Sequence, residues 1–409
     1  MLDLTKLARQ MQGISEHLTQ EAEAARRRVD IARNLMAQAT KHQSKLVDQL
    51  SEHRDRLLFA AAEPIEPLST KVALDTAPAA HTVISSDGSQ ISPSHHEIAY
   101  CYLLNISRVI IHYGQSRYPL LDSLPEVIYR PEDLYASRQW GIRTEEWMGY
   151  KRTAAEAVMI GELAISCRKV KPTATLSHQG TKEGSDAQTP TLAMTDGSLI
   201  YWFLEQIPAK ARDEILLPVL ESWDRLRKAR VPVMGYISAS RSGEALNFLR
   251  LQACPYESPD CLTHCEDHRA QTPCQSFSPL RDVTLWSTSL SPGERGPLWK
   301  SSADILSCYG EHAMYFCYVH VGAEVARVEF PQWVVKDSEL LNSALSLMLA
   351  QVQKGFGYPV ALAEAHNQAV VRGGDRTRFF TLLEQQMIRA GLKNVGTSFK
   401  EARKRGSIA

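Results

Sequence analysis

Apolar and small residues recur at three- and four-residue steps through the first sixty positions. They run Leu4, Leu7, Met11, Ile14, Leu18, then Ala22, Ala25, Val29, Ala32, Met36, and then Leu46, Leu50 and Leu57. Such spacing keeps one stripe on one helix face, with a local slip where two four-residue steps adjoin. It predicts a helical arm over residues 1–62, a hairpin or coiled coil flanked by Arg26, Arg27, Arg28 and Arg33. The arm either packs on the body or docks a partner or DNA. A Pro- and Ala-rich stretch follows, AAAEPIEPLSTKVALDTAPAA, and its core at 63–80 reads as a linker.

From His81 the texture changes. TVISSDGSQISP is a short β-branched run ending in a turn, and EIAYCYLLNISRVIIHYG supplies two more strand candidates. A helical pattern covers about Thr144 to Arg168, and a polar, Gly-bearing segment at about 171–189 reads as an inserted loop. TLAMTDGSLIYW reads as a buried strand, EILLPVLESWDRLRKAR as a helix, VPVMGYIS as a strand and GEALNFLRLQAC as a helix. After a Cys-rich stretch at 254–274 come the strands MYFCYVHVG and AEVARVEFP, then the helices ELLNSALSLMLAQVQK and FFTLLEQQMIRAG. Strands giving way to mixed alternation predict an α/β fold over 81–390, a mixed central sheet flanked by helices. Residues 391–409, with KEARKRGS, read as a solvated tail.

Composition narrows the class only a little. With 46 basic and 46 acidic residues the formal charge is zero, which argues against a basic coating protein but leaves room for a local cationic groove. The start, MLDLTKLARQMQG, lacks the pattern of a secretory signal, and no apolar run is long enough to span a membrane. Eight cysteines without an export signal suit a reducing compartment, so a cytoplasmic location is expected. No P-loop occurs, so the chain is not expected to be its own ATPase.

Two DGS tripeptides, Asp87-Gly88-Ser89 and Asp196-Gly197-Ser198, each follow an extended apolar run. Each Asp should therefore sit near a strand end, with Gly allowing a tight turn. Carboxylates from distant strands can converge on one sheet, and hard cations such as Mg²⁺ or Mn²⁺ prefer such oxygen-rich sites. Taken singly, DG is equally a common turn signal. The intervening helix carries Glu156 and Glu162, six residues apart and so about 240° around the helix, which lets at most one face a shared site. Near the C-terminus, GYPVALAEAH places His366 eight residues after Tyr358. That His reads either as a ligand or as a satisfied core residue.

The order ISSDGSQISP, RTAAEAVMIGELA, LAMTDGSLIYW, GYIS, FCYV, VARVEFPQW and GYPVALAEAHNQAVV resembles the NurA family of repair nucleases, over about residues 80–385. The resemblance implies an RNase H-like core that holds manganese, or magnesium in its place, through acidic residues and degrades DNA ends. It implies Asp87, Glu156, Asp196 and His366 as metal-holding and catalytic residues, with Tyr358 beside them. Arg152 to Glu156 matches the family's RxxxE pattern, and Glu162 is the alternative. It further implies 5′–3′ exonuclease or single-strand endonuclease activity in double-strand break repair, and a homodimer working with a HerA-like hexameric ATPase. The loop at 171–189 and the cysteine stretch depart from the compact family pattern.

Cys254, Cys261, Cys265 and Cys274 lie close together in sequence, with His264 and His268 among them. Their spacing is not that of a paired CxxC ribbon, so structural zinc, an iron–sulfur cluster, free thiols and disulfides all stay open. Arg241 and Arg250 are candidate phosphate contacts, Arg241 because it precedes a helix directly after a strand end. Tyr201 and Trp202 are candidate base-stacking groups, although Trp202 is expected to pack in the core. Two rivals to a nuclease remain: a non-catalytic adaptor that binds DNA or a motor, and a metal-dependent phosphohydrolase of small molecules.

Overall fold

In the computed structural model, which describes residues 3–11, 13–93, 100–169, 189–265 and 272–391, the chain divides into two units. The first unit is Met1–Leu74 with Tyr236–Gln332, and the second is Asp75–Gly235 with Trp333–Ala409. Most of the expected inserted loop, the tail beyond Gly391, and His268 lie outside the described residues.

The second unit is built on β1 (His81–Ser85), β2 (Gly88–Ile91), β3 (Tyr102–Tyr113), β4 (Leu120–Ile128) and β5 (Thr191–Asp196). Strand β1 is buried along its whole length, as a run without polar alternation requires when both faces are covered. It pairs parallel with β5 and antiparallel with β3. Strands β1 and β2 lie end to end along one edge of β3, and β4 takes the other edge. A parallel pair beside antiparallel ones makes the sheet mixed, as expected. The helices α1 (Thr144–Lys169) and α3 (Val360–Ala369) both pack on β3, and α2 (Ser338–Lys354) packs on β5. Helix α1 also packs against Ala209–Lys228, where a Cβ at Gly161 would lie 2.2 Å from Ser222 Oγ. Glycine there lets the two helices approach.

In the first unit, helices Ile14–Lys41 and Gln43–His53 bury Ala32, Ala39, Leu46 and Leu50 in a cluster with Phe248 and Leu249 of the helix Glu244–Ala253. The N-terminal stripe is thus divided: its later part is core, while Leu4, Met11, Ile14 and Leu18 are exposed. Strands Met314–His320 and Val325–Pro331 pair antiparallel in this unit. Two pieces of the stretch 63–80, expected as a linker, form short strands in this unit. Glu63–Pro64 pairs with Trp299–Lys300, and Val72–Ala73 pairs with Glu294–Arg295. Between them Glu66 receives both terminal nitrogens of Arg295, at 2.6 and 3.0 Å, and the Leu298 N–H at 2.9 Å. A long-range ion pair of this kind leaves no trace in local composition, which here shows only prolines. Among the described residues, no helix is long and apolar enough to cross a membrane.

Candidate functional site

Parallel strands β1 and β5 run in register as far as Ser85 opposite Met194. Asp87 and Asp196 each come two residues later, so the topology brings both carboxylates to the same end of the same strand pair. The backbone of Asp87 is held by Ser107 on β3. Its N–H donates to Ser107 Oγ at 2.8 Å, and its carbonyl accepts the Ser107 N–H at 2.8 Å. One carboxylate oxygen, Oδ1, accepts the Gly88 N–H at 2.8 Å, which leaves Oδ2 for another partner. After Asp196 the chain turns through Gly197 at φ +94°, a left-handed conformation that glycine adopts without a steric penalty.

Glu156 reaches the same place from α1. A Cβ on Gly88 would lie 2.5 Å from Glu156 Oε1 and 2.7 Å from Arg152 Cγ, so the glycine of the first DGS makes room for this helix. The Glu156 side chain is 14% exposed, and Arg152 Nε approaches its Oε1 at 3.2 Å. The contact is an ion pair without hydrogen-bond alignment, since both atoms are buried and lack a hydrogen-bond partner. Burial pushes the Glu156 carboxyl up to about 8; Arg152 opposes this, Asp87 and Asp196 add to it, and the Gly88 N–H opposes it. Asp196 is also raised, first by desolvation and then by Asp87, against the lowering effects of the Tyr358 hydroxyl and His366.

Tyr358 lies on the turn into α3, and His366 lies in the last turn of that helix. A Cβ at Gly355 would lie 1.9 Å from the Tyr358 carbonyl oxygen, so only glycine allows the chain to fold back this tightly. The buried Gln351 of α2 accepts the Ala361 N–H at 3.0 Å, satisfying one of the free donors at the start of α3. At its other end, the Ala369 carbonyl accepts from Asn105 Nδ2 at 2.8 Å and from the Ser89 hydroxyl. Held at both ends, the helix sets His366 Nδ1 3.1 Å from Asp87 Oδ2. Four separate elements therefore bring Asp87, Glu156, Asp196, Tyr358 and His366 together.

Of the two helical glutamates, Glu156 is the one beside these groups, and Glu162 is exposed. Asn105 and Ser107, which hold α3 and Asp87, escaped the sequence reading. Their signal was two polar side chains two residues apart within an apolar strand. Arg241 is exposed in the first unit, on the loop before the helix Glu244–Ala253. Arg250, in that helix, stacks its guanidinium 4.6 Å from the Phe59 ring centre and donates from Nε to the Cys274 carbonyl at 3.3 Å. Tyr201 is buried, but Trp202, expected in the core, is 41% exposed. The short 3₁₀ turn Trp202–Gln206 carries its indole outward while Leu204 turns in. Cys254, Cys261, Cys265 and Cys274 lie in the first unit as free thiols, with no disulfide among them. Among the described residues, no group of three or more His, Cys, Asp or Glu side chains is already arranged so that it could hold a metal ion.

No protein of curated function matches the chain. Its structure is similar to that of the NurA nuclease from Sulfolobus solfataricus, with 12% identity over 95% of this chain and 98% of that one, at a TM-score of 0.49. It is also similar to a structure of NurA with manganese, with 10% identity over 88% of this chain and 99% of that one, at a TM-score of 0.39. The family model for the NurA domain matches residues 81–371, a span that contains Asp87, Glu156, Asp196, Tyr358 and His366. On that match over most of its length, the chain belongs to the NurA domain family.

Proposed function

We propose that this chain is a divalent-metal-dependent deoxyribonuclease in which Asp87, Glu156, Asp196 and His366 hold the metal and Tyr358 orients Asp196. Membership of the NurA domain family supports a nuclease function. The observation that carries the metal reading is the convergence of Asp87, Glu156 and Asp196 from three elements, with Glu156 Oε1 buried and lacking a hydrogen-bond partner. Buried like charges are costly unless a cation balances them. The donor set, oxygen-rich with one imidazole, suits Mn²⁺ or Mg²⁺. Side-chain rotation would have to gather the donors, since they are not yet arranged around a point. A cation bound there would activate water and offset charge on the scissile phosphodiester.

The residues themselves then have separate tasks. Asp87, fixed by Ser107, holds the largely exposed His366 ring through Nδ1. Tyr358 steadies Asp196 by hydrogen bonding, which favours the charged carboxylate. Arg152 opposes the burial that raises the Glu156 carboxyl to about 8. Without metal that group is therefore mostly protonated near neutral pH, and a bound cation would have to displace its proton. We include in the proposal DNA ends as substrate, cut by 5′–3′ exonuclease or single-strand endonuclease action in double-strand break repair, a homodimer, and a HerA-like hexameric ATPase as partner.

The test is cleavage of end-labelled DNA by the wild type and Asp196→Asn, with Mn²⁺, with Mg²⁺ and with a chelator. Metal-dependent cleavage that the substitution abolishes is expected. Undiminished cleavage by Asp196→Asn would overturn the assignment. Absence of any metal-dependent cleavage by the wild type would favour a DNA-binding adaptor.

A further inference from the structure

We propose that Cys254, Cys261, Cys265 and Cys274 form a thiolate-held metal centre, taking either Zn²⁺ or an iron–sulfur cluster. All four line one cavity of about 190 Å³ in the first unit, walled otherwise by groups that include Leu57, Phe59 and Pro259. They come from three short pieces of chain. Cys254 caps the helix Glu244–Ala253, Cys261 begins the single turn Cys261–His264 and Cys265 is its C-cap, and Cys274 lies in the 3₁₀ turn Pro273–Gln275. The other three thiols are near enough to Cys265 to act on it electrostatically, and Cys261 hydrogen-bonds to it.

Several surrounding contacts hold these pieces in place without using the thiols, and the Thr272 hydroxyl meets Cys274 Sγ at 3.3 Å. Arg250 donates to the Cys274 carbonyl and stacks on Phe59. Arg56 pairs with Asp260, whose carboxylate also accepts the Thr263 N–H at 3.0 Å and so caps the turn that bears Cys261. Tyr256 stacks on His264 at 4.1 Å between ring centres. Between Cys254 and Cys274 the described chain buries little apolar surface of its own, and segments of that kind are commonly ordered by a metal. The thiols are not yet gathered around a point. Loading must draw them inward, and the cavity gives them room. Soft thiolates select zinc or iron–sulfur clusters over the hard cations suited to the carboxylate site. With Zn²⁺, each of the four thiols releases a proton to solvent as its sulfur–metal bond forms. A preassembled iron–sulfur cluster would be taken up by the same ligand exchange, so neither uptake requires an oxidant or reductant.

The experiment uses the full chain, purified anaerobically without chelator, with zinc and iron measured by mass spectrometry alongside the visible spectrum. About one zinc per chain is expected, or iron accompanied by broad visible absorption. Cys261→Ser and Cys265→Ser should each lose that metal, whereas Cys308→Ser, outside the cavity, should keep it. As a check that does not depend on a variant folding, stripping and reloading the wild type should hide the four thiols from an alkylating reagent. A wild type with neither metal and no protection on reloading would overturn the proposal. So would metal that survives both serine variants, since that metal sits elsewhere. The centre is independent of the nuclease reading: Asp196→Asn should retain it in full.

Discussion

Asp87 and Asp196 stand at equivalent positions on two parallel strands, each two residues past the last paired residues, Ser85 and Met194. Nothing in either tripeptide encodes that equivalence. It arises because a crossover containing α1 returns the chain to the neighbouring strand in the same direction, so that like ends coincide. The same crossover carries Glu156, so one topological unit delivers three carboxylates. His366 comes from much later in the chain, on a helix held to β3 by Asn105.

The two helical glutamates should separate cleanly in a nuclease assay. Glu156→Gln should lower metal-dependent cleavage by about 100-fold or more, the scale expected when a metal worth several kcal/mol in the transition state is weakened. Glu162→Gln, on an exposed position of the same helix, should leave the rate within about twofold. Equal losses in both variants would show that the helix, and not the Glu156 carboxylate, matters.

Without divalent metal, stability should fall as pH rises across the range in which Glu156 titrates. Its ordinary value is 4.5 and the folded one about 8, so between these the folded chain retains a proton that the unfolded chain has released. The favourable contribution is complete below about 4.5 and is lost as pH climbs through about 8. The Glu156→Gln variant lacks this titration. It should match the wild type near the low end and exceed it near the high end by on the order of a few kcal/mol. Thermal melts in chelator at a series of pH values measure the difference. Parallel curves for the two proteins would mean that Glu156 is charged throughout.

Much of this arrangement could be read along the chain, and the rest depends on long-range partners. The buried strands announced themselves as β-branched runs, and the repeated DGS marked two strand ends. The GYP turn flagged Tyr358 and His366. The parallel register, by contrast, is a property of pairs distant in sequence. Two short pieces of the expected linker, Glu63–Pro64 and Val72–Ala73, pair as strands, and Glu66 between them meets Arg295 more than two hundred residues away. Arg250, chosen as a phosphate contact for its charge, has its guanidinium engaged by Phe59 and the Cys274 carbonyl. Composition identifies a cation but not what already surrounds it.

The first DGS glycine should be intolerant of even a methyl group. In Gly88→Ala the new Cβ would meet Glu156 Oε1 at 2.5 Å and Arg152 Cγ at 2.7 Å, and the helix behind them cannot withdraw without disturbing β3. A loss of about 1–3 kcal/mol in urea unfolding is expected, the range for overpacking a filled site. Cleavage activity should fall with it. Gly197→Ala meets no atom within 4 Å and should suffer only from its backbone angle of +94°. Wild-type stability in Gly88→Ala would show that the strand and helix have slack between them.

Two tryptophans test how the chain passes from the second DGS into the core. Trp202 is 41% exposed, whereas Trp223, on the helix Ala209–Lys228, is 1% exposed with its ring 6.2 Å from that of Tyr201. Truncating a fully buried Trp removes its packing and leaves a cavity, at a cost of about 3–5 kcal/mol. Truncating one on the surface typically changes stability by about 0.5 kcal/mol or less. Trp223→Ala should therefore lower the unfolding midpoint strongly and Trp202→Ala barely at all. The inward anchors of this segment are Tyr201 and Leu204, together with Phe203 stacked 4.6 Å from Tyr150. Because these flank Trp202, its removal leaves the turn held on both sides. A large stability loss in Trp202→Ala would mean that the indole packs inward after all, as the sequence pattern alone suggested.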